Sequence, residues 1–451
     1  MEAFTTYPQV GTTQAGKEGP ALLKMYKILS LLVGLSMAVC SVVCAQDHDR
    51  SVDSVERPAS ATLVRDRLKA MLIGSVIGDA AGGPVEFQSL DKVREAYPQF
   101  KRWGKGERLN ATMLGERAAA FSLNSYEALR PQPEPYAHWT SLAPAGTATD
   151  DTRHKILVVN ALRTAMVSER RTLNALDLAR AYVEYPNSAF IRLRPSYASL
   201  AREWLVEYQL AARWVLGIRD FAKAKPLSRL WGGLPTNAGQ MALLPLAGLF
   251  PGDPEGAYRL AYEIGFMDVG TAKDINASLV AGLAVCLGRP ESTKPTPAEL
   301  DKLLNASILA AAPYGYGQIP WTERRVSRWL NLASEIATEA DGRPSRLFEI
   351  LNEELADDIK WEARVPLVVA FAVMRCCRYD PLASLQTCLE FGHDTDSYAQ
   401  LIGAFLGAVY GTSAFPESMT DEVVSRFKAD YGENIDEWVD LLSAARGRAT
   451  K

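Results

Sequence analysis

The sequence predicts an all-α protein, and two observations support this fold class. From residue 61 onward, apolar residues recur at helical spacing, as Leu68, Met71, Leu72 and Val76 do in the first such stretch. Alternation of apolar and polar residues over the length of a strand is scarce. Because no Ser/Gly-rich linker and no repeat of fixed period divides this part of the chain, residues 61–451 are expected to form a single helical domain.

Further stretches with the same spacing predict the remaining helices. In chain order they are residues 156–167, 175–185, 197–216, 240–249, 256–264, 272–287, 298–311, 324–340, 344–356, 365–378, 397–410 and 421–445. Two segments lack the helical pattern: residues 98–146, which are rich in proline towards their end, and the aromatic, turn-rich residues 314–321. Long irregular segments are often functional, so we expect either one to cover a binding site.

Composition and charge exclude several classes of protein. Apolar residues make up 48% of the 451 residues, enough for a large core, so the chain is not predominantly disordered. With 49 Lys and Arg against 53 Asp and Glu, the net charge is −4, which argues against a general nucleic-acid partner. Four histidines and six cysteines are too few for a zinc site of the HExxH or paired CxxC type. Any metal site must therefore be built mostly from carboxylates.

The N-terminal part of the chain has the pattern of an export signal. Two lysines precede an unbroken apolar run, and a small-residue cleavage site ends at Ala45. Residues 25–45 are therefore interpreted as a signal peptide, and the mature protein as periplasmic or secreted. The alternative is a membrane anchor formed by residues 28–45, because the apolar run is nearly long enough to span a bilayer.

The segments on either side of this signal are interpreted as follows. Residues 1–24 fit no targeting pattern and are expected to be an extension that the native protein lacks. The polar residues 46–60 are interpreted as a linker. Cleavage would remove Cys40 and Cys44, and the four remaining cysteines are expected to be buried, with at most one disulfide bond among them.

Glycines recur every four residues in the first predicted helix, at Gly74, Gly78 and Gly82, so they share one helix face. Glycine inside a helix is costly relative to alanine, which implies a reason for it at this face. Two explanations stay open: tight packing against another helix, or close approach of the backbone to a ligand. Asp79 and Glu86 lie on either side of the point where this helix is expected to end.

Two segments far apart in the chain each place two aspartates and a hydroxyl at a predicted helix start. Their residues are Thr149, Asp150 and Asp151 in the first, and Asp394, Asp396 and Ser397 in the second. Either set alone is consistent with a helix N-cap followed by acids that suit the helix dipole. Together, their oxygen ligands and four negative charges match two divalent cations, Mg²⁺ or Mn²⁺ rather than zinc. A calcium-binding EF-hand is excluded because no glutamate stands at its twelfth position.

These three segments resemble the hallmark blocks of the ADP-ribosylglycohydrolase family, which includes the dinitrogenase reductase-activating glycohydrolase. The matching residues are 78–80 with 84–87, 149–152, and 394–397 followed by the helix that contains Gly403 and Gly407. The resemblance covers about residues 65–415. It implies a single, orthogonally packed helical domain with two Mg²⁺ or Mn²⁺ ions in a cleft. The implied activity is hydrolysis of the N- or O-glycosidic bond between ADP-ribose and a protein side chain or small molecule.

The resemblance also implies roles for individual residues. The implied metal ligands are Thr149, Asp150, Asp151, Asp394, Asp396 and Ser397. The implied catalytic groups, which would manage the proton and the attacking water, are Glu86, Asp151 and Asp394. The implied substrate contacts are Gly82, Gly83, Asn237, Gly239, His393 and Tyr316. Asp79 would support the end of the first helix behind the metal ligands.

The sequence departs from the family pattern at several positions, which leaves the substrate open. Ser397 stands where threonine is more usual, and His393 stands in place of a glycine. Residues 237–242 lack the family's arginine, and residues 268–276 lack its histidine. Two alternatives stay open: a non-catalytic relative that binds metal and ADP-ribose, or a hydrolase of another ribosyl compound such as a nucleoside. We expect a monomer with no nucleic-acid partner, and with no stable membrane partner once the signal is cleaved.

Overall fold

Helices make up the secondary structure throughout the described part of the chain. The computed structural model describes residues 59–97, 106–123, 144–168, 172–188, 191, 205–290, 295–311 and 325–446. All of them belong to one structural unit, Arg57–Lys451. Within these ranges the only β-type pairings are two isolated bridges, Gln88 with His393 and Thr236 with Glu362, so the all-α prediction is confirmed.

Three predicted segments fall outside the described residues. They are the export signal at residues 25–45 with its flanks up to residue 58, most of residues 98–146, and the aromatic segment 314–321, which includes Tyr316. Among the helices in the described ranges, none is both long enough and apolar enough to cross a membrane.

The α-helices follow one another in chain order, and several of the connections contain a 3₁₀ turn. The described helices are α1 (Ala61–Gly82), α2 (Leu90–Ala96), α3 (Ala111–Ala120), α4 (Asp150–Arg163), α5 (Ala175–Glu184), α6 (Val206–Val215), α7 (Ala238–Leu243), α8 (Pro254–Ile264), α9 (Thr271–Gly288), α10 (Pro297–Ile308), α11 (Arg325–Ala340), α12 (Pro344–Glu354), α13 (Arg364–Cys376), α14 (Pro381–Phe391), α15 (Thr395–Tyr410), α16 (Glu417–Tyr431) and α17 (Ile435–Ala445).

Three of these helices were not predicted from apolar spacing. α2 has only seven residues, too few to show a period. α3 lies in the segment expected to be irregular, and it buries only Leu114 and Arg117. α14 is buried on every side from its third residue onward, so it has no polar face to contrast with an apolar one.

The single helix predicted over residues 421–445 is wrong, because two helices occupy this stretch. Gly432 adopts a left-handed conformation with φ 68° and donates its N–H to the carbonyl of Lys428 at 2.9 Å, which ends α16. The Asn434 side chain then accepts a hydrogen bond from the N–H of Asp436 at 2.8 Å and caps α17. The Gly and Asn signals were present in the sequence, but the continuous apolar spacing concealed the break.

α1 and α15 form the centre of the fold and cross in close contact. α15 is buried along almost its whole length, as is the second half of α1. A Cβ atom at Gly78 would lie 2.1 Å from the carbonyl oxygen of Ala399, and one at Gly403 would lie 1.9 Å from that of Gly74. Of the two explanations for the glycine repeat, helix packing is therefore the one that the structure shows. The two helices run antiparallel, so the C-terminal end of α1 lies beside the N-terminal end of α15.

The four cysteines of the described residues are buried as free thiols. They are Cys286, Cys376, Cys377 and Cys388. Burial raises the pKa of Cys286 to about 12 and that of Cys377 to about 11. These side chains contribute to the core as small apolar groups, and no disulfide joins them.

Candidate metal centre

The three predicted motifs meet where the end of α1 reaches the start of α4 and α15. Asp79, near the C-terminal end of α1, accepts hydrogen bonds from the backbone N–H groups of Thr149 and Thr152, both at 2.9 Å. Asp79 also accepts a hydrogen bond from the hydroxyl of Thr152. These bonds satisfy N–H groups that the first turn of a helix leaves without partners, so Asp79 supports the start of α4 from the side.

Thr149 and the two aspartates that follow it form the N-terminus of α4. The Thr149 hydroxyl accepts a hydrogen bond from the N–H of Asp151 at 3.0 Å, as an N-cap does. Asp151 is buried, whereas Asp150 is partly exposed. The dipole of α4 favours negative charge at this end, so the helix start offsets part of the cost of burying two charged carboxylates.

Asp394, Asp396 and Ser397 form the corresponding start of α15, and hydrogen bonds connect it to α4. The side-chain amide of Asn237 donates to Asp394 Oδ2 at 2.9 Å and to the Ser397 hydroxyl at 2.8 Å. The Ser397 hydroxyl in turn donates to Asp151 Oδ1 at 3.1 Å. Ser397 and Asp151 are 246 positions apart in the chain, so the fold joins the two helix starts directly.

Five carboxylates gather into two overlapping groups, each close enough to hold a metal ion. Glu86, Asp394 and Asp396 offer oxygen atoms within 4.8 Å of one another, and so do Asp150, Asp151 and Asp396. Asp396 belongs to both groups and is only 1% exposed, so it lies between them. Glu86 and Asp150 are the partly exposed members, one in each group, and they mark the side on which the cluster opens to solvent.

Burial and mutual repulsion make this cluster unfavourable when it is fully charged. The pKa of Glu86 and those of the four aspartates are raised above their ordinary values, and burial is the largest of the effects that raise them. Repulsion from neighbouring carboxylates adds to this shift, whereas the charge of Arg153 opposes it at Asp150. A bound cation would relieve both effects, because it replaces lost solvation and offsets the repulsion.

Two residues that the sequence reasoning missed, Lys155 and Gln400, hold Asp151 in place. Gln400 donates its side-chain amide to Asp151 Oδ1, and the Lys155 ammonium donates to Gln400 Oε1 and, at 3.0 Å, to the Asp151 carbonyl. Burial lowers the pKa of Lys155, and the neighbouring aspartates oppose that shift. Lys155 follows Asp151 by four positions, and Gln400 follows Asp396 by four. Helical spacing from a predicted ligand is therefore the signal that could have found both.

The segment that carries Glu86 is fixed to the segment that carries Asp394 by backbone pairing. Phe87 donates its N–H to the carbonyl of His393, and His393 donates its own N–H to the carbonyl of Gln88 at 2.7 Å. Phe87 and His393 adopt positive φ angles of 57° and 63°. This backbone region is strained for a residue with a side chain and persists where the surroundings enforce it. The pairing therefore sets the position of Glu86 relative to Asp394.

Of the predicted substrate contacts, Gly82 and Gly83 lie behind the cluster. A Cβ atom at Gly82 would lie 2.4 Å from the Cα of Asp396, so this glycine lets α1 pack on the turn that carries the acids. Gly83 is buried at the start of the 3₁₀ turn that follows α1. Tyr316 lies outside the described residues. Contact of these residues with a substrate stays a prediction.

The other predicted substrate contacts, Asn237, Gly239 and His393, lie beside the acidic segments. Gly239 donates its N–H to the buried carboxylate of Asp268 at 2.9 Å, and burial raises the pKa of Asp268 to about 7. His393 Nε2 lies 3.0 Å from the side-chain oxygen of Asn352, and burial lowers the pKa of His393 to about 4. Asn237 contacts the acids themselves. Of the three, Asn237 alone has a hydrogen bond to the acids, and contact of any of them with a substrate stays a prediction.

The residues of the cluster fit a hard divalent cation. Its donors are carboxylate and hydroxyl oxygens, which Mg²⁺ and Mn²⁺ prefer, and it contains no thiolate. The fold and the site together define an all-α protein whose buried acidic cluster opens to solvent on one side.

Comparison with known proteins identifies the family. A sequence model of the ADP-ribosylglycohydrolase family matches residues 60–450, so the chain belongs to that family. Members of the family are generally hydrolases, typically bind divalent metals and act on ADP-ribosylated substrates. No curated protein matches the chain. One similar solved structure is described as an ADP-ribosylglycohydrolase-related protein complex, with 16% identity and a TM-score of 0.47 over 86% of this chain and 99% of that one.

Proposed function

We propose that this protein is a divalent-metal-dependent glycohydrolase. Its reaction is the hydrolysis of the N- or O-glycosidic bond that joins ADP-ribose to a protein side chain or a small molecule. Membership of the ADP-ribosylglycohydrolase family supports the reaction class, and the acidic cluster supports the dependence on metal. We further propose that the cluster holds two ions, Mg²⁺ or Mn²⁺.

The observation that carries this proposal is the pair of overlapping carboxylate groups that share Asp396. With Asp79, six carboxylates lie in or against the cluster, and two cationic side chains, Lys155 and Arg153, are buried beside them. Six carboxylates less two cations leave four negative charges, which two divalent ions would neutralise. Helix capping alone needs one acceptor at each helix start and gives no reason for this excess.

The proposed metal ligands are the residues that the sequence singles out at the two helix starts. They are Thr149, Asp150, Asp151, Asp394, Asp396 and Ser397. When bound, the ions would supply Lewis-acid activation of water and an anchor for the ribose hydroxyls. The side-chain amide of Asn237 donates to both Asp394 and Ser397 and so fixes their positions relative to each other. Hydrogen bonds within the protein therefore preorganise this part of the site.

Glu86 is the residue that we assign to proton transfer. Cleavage at C1 of a ribose passes through an oxocarbenium-like state, in which the attacking water or the leaving group exchanges a proton. Glu86 lies at the open side of the cluster, and burial raises its pKa well above the ordinary value of 4.5. A raised pKa makes a carboxylate a better proton acceptor, so Glu86 is suited to exchange a proton with the attacking water or the leaving group.

The substrate class is tested by incubating the full chain with ADP-ribosyl-arginine, ADP-ribosyl-serine and simple nucleosides, with and without EDTA. We expect release of ADP-ribose from one of the first two in Mg²⁺ or Mn²⁺, and loss of that release in EDTA. Hydrolysis of nucleosides alone would assign the protein to another class of ribosyl hydrolase. Binding of ADP-ribose without turnover of any of these compounds would identify a non-catalytic relative.

We also propose that the protein is exported as a monomer, either with residues 25–45 removed or anchored by residues 28–45. The support is the sequence pattern of that segment. N-terminal sequencing after cell fractionation distinguishes the two forms. A mature chain that begins at Gln46 supports cleavage, and a membrane-bound chain that retains residues 28–45 supports the anchor. An uncleaved chain in the cytosol contradicts both, and a dimer on size-exclusion chromatography contradicts the monomer.

A further inference from the structure

A buried ionic junction lies outside the acidic cluster, and the proposed reaction does not use it. Its centre is Glu390 on α14, whose side chain is fully buried. Arg94 on α2 donates from Nε and Nη2 to Glu390 Oε1 at 3.0 and 2.7 Å. Arg117 on α3 donates from Nη1 to Glu390 Oε2 at 2.9 Å and to the hydroxyl of Thr387 at 3.1 Å. Both carboxylate oxygens of Glu390 therefore have charged partners, one from each of two helices.

The junction joins the two segments that supply one of the acid groups. Arg94 follows Glu86 by eight positions, and Glu390 precedes Asp394 by four. The same two segments are already paired through the backbone of Gln88 and His393. The pairing is a single bridge of two hydrogen bonds, and the Arg94–Glu390 ion pair forms a second link between the two segments.

A row of rings extends the junction towards the acids. The Arg94 guanidinium lies over the ring of Phe348, 5.8 Å from its centroid. Phe348 stacks on Phe391 with 5.5 Å between centroids, and Phe391 meets the ring of His393 edge-on at 4.9 Å. These contacts favour the orientation in which Arg94 reaches Glu390, and they continue to His393, the residue next to Asp394.

We propose that Arg94 and Glu390 are positioning residues that fix Glu86 relative to Asp394. The proposal deepens the proposed function, because it assigns this ion pair to the Glu86 side of the metal site. Without Arg94, the pair with Arg117 remains, but the other carboxylate oxygen of the buried Glu390 loses both of its charge-assisted hydrogen bonds, so the link between the two segments should loosen. The start of α4 is held separately by Asp79, so the Asp150 side of the site should keep its geometry.

Hydrogen exchange in the metal-free full chain tests the positioning without reference to activity. In Arg94→Ala, we expect the amides of residues 83, 85–89 and 392–394 to exchange about tenfold faster or more, since two charge-assisted hydrogen bonds are lost. Residues 149–152 should exchange at the wild-type rate. Arg346→Ala is the matched control, because Arg346 is 39% exposed and pairs with Glu339 and Glu349 at the surface, so no segment should change.

Titration with Mn²⁺ provides the second measurement. If the wild-type chain binds two Mn²⁺ ions, Arg94→Ala should raise the Kd for one of them about tenfold and leave the Kd for the other unchanged. Arg94→Lys keeps the charge with a single donor group, so it should restore part of both the exchange protection and the affinity. Glu390→Gln removes the same ion pair from its other side and also leaves the buried Arg117 without its carboxylate, so its effects on exchange and affinity should be at least as large as those of Arg94→Ala.

The outcomes separate this inference from the proposed function. Wild-type binding of two Mn²⁺ ions with unchanged exchange at residues 83–89 in Arg94→Ala would overturn the inference alone. A uniform increase in exchange over all segments would also overturn it, because it would show a general structural role. A wild-type chain that binds no Mn²⁺ would contradict the proposed function, while the exchange measurement would still decide the role of Arg94.

Discussion

Replacing Gly78 by alanine tests whether the contact between α1 and α15 is as close as the structure shows. The added Cβ atom would lie 2.1 Å from the carbonyl oxygen of Ala399 and 2.6 Å from the backbone nitrogen of Gln400, whereas real Cβ contacts essentially never fall below 3.0 Å. Both neighbours are backbone atoms, so no side chain can rotate away and the helices must separate by about 1 Å. Overpacking of a core costs about 3 kcal/mol at the upper end of its usual range, and alanine recovers about 1 kcal/mol of helix propensity.

We therefore expect Gly78→Ala to lower the free energy of unfolding by about 2 kcal/mol or more, measured by urea denaturation. Because Asp396 stands at the start of α15, the same displacement should weaken Mn²⁺ binding. Gly115→Ala is the matched control, since Gly115 lies in α3 and an added Cβ there would meet no other described part of the protein within 4 Å beyond its own helix backbone and chain neighbours. It should be neutral or stabilise by up to about 1 kcal/mol. Equal stability of Gly78→Ala and the wild type would refute the packing argument.

Three further predictions concern the site. Asn237→Ala should raise the Kd for Mn²⁺ about tenfold in calorimetric titration, because it removes the amide that orients Asp394. Asp79→Ala should lower the free energy of unfolding by about 3 kcal/mol in urea, because the N–H groups it pairs at the start of α4, including that of Thr149, lose their acceptor. In EDTA, thermal stability should fall as pH rises above about 4.5, because Glu86 and the four aspartates have raised pKa values in the folded state, which therefore binds more protons than the unfolded state. Saturating Mg²⁺ should flatten this pH dependence, and a stability that rises with pH in EDTA would contradict the assignment.

The fold class followed from the sequence because most helices carry one apolar face. The pattern failed where that contrast is absent, as in α14, which is buried nearly all round, and in the seven-residue α2. It also failed at Gly432, where a left-handed turn divides a continuous apolar stretch. A spacing rule reports the average face of a segment, so it misses a helix that has no contrasting face or is too short, and it cannot detect a single residue that ends a helix.

The acidic cluster could be predicted because each half is a local motif at a helix start. The meeting of the two halves could not be derived from either motif, since Asp151 and Ser397 come together through tertiary packing that brings the starts of α4 and α15 to the end of α1. Lys155 and Gln400 were missed because a polar residue inside a helix is usually solvent-exposed, and their burial depends on tertiary structure. The Arg94–Glu390 pair has no local pattern at all, because its members are 296 positions apart.

The most direct test of metal-dependent glycohydrolysis is the rate of ADP-ribose release by the full chain and by Asp396→Asn in saturating Mg²⁺. Asp396 belongs to both carboxylate groups, so its loss should disable both ion sites and lower the rate about a thousandfold or more. Asp440→Asn is the control, because Asp440 is a surface residue whose side chain is 66% exposed, and it should retain the wild-type rate. Release by Asp396→Asn at the wild-type rate, or wild-type release that persists in EDTA, would contradict the account.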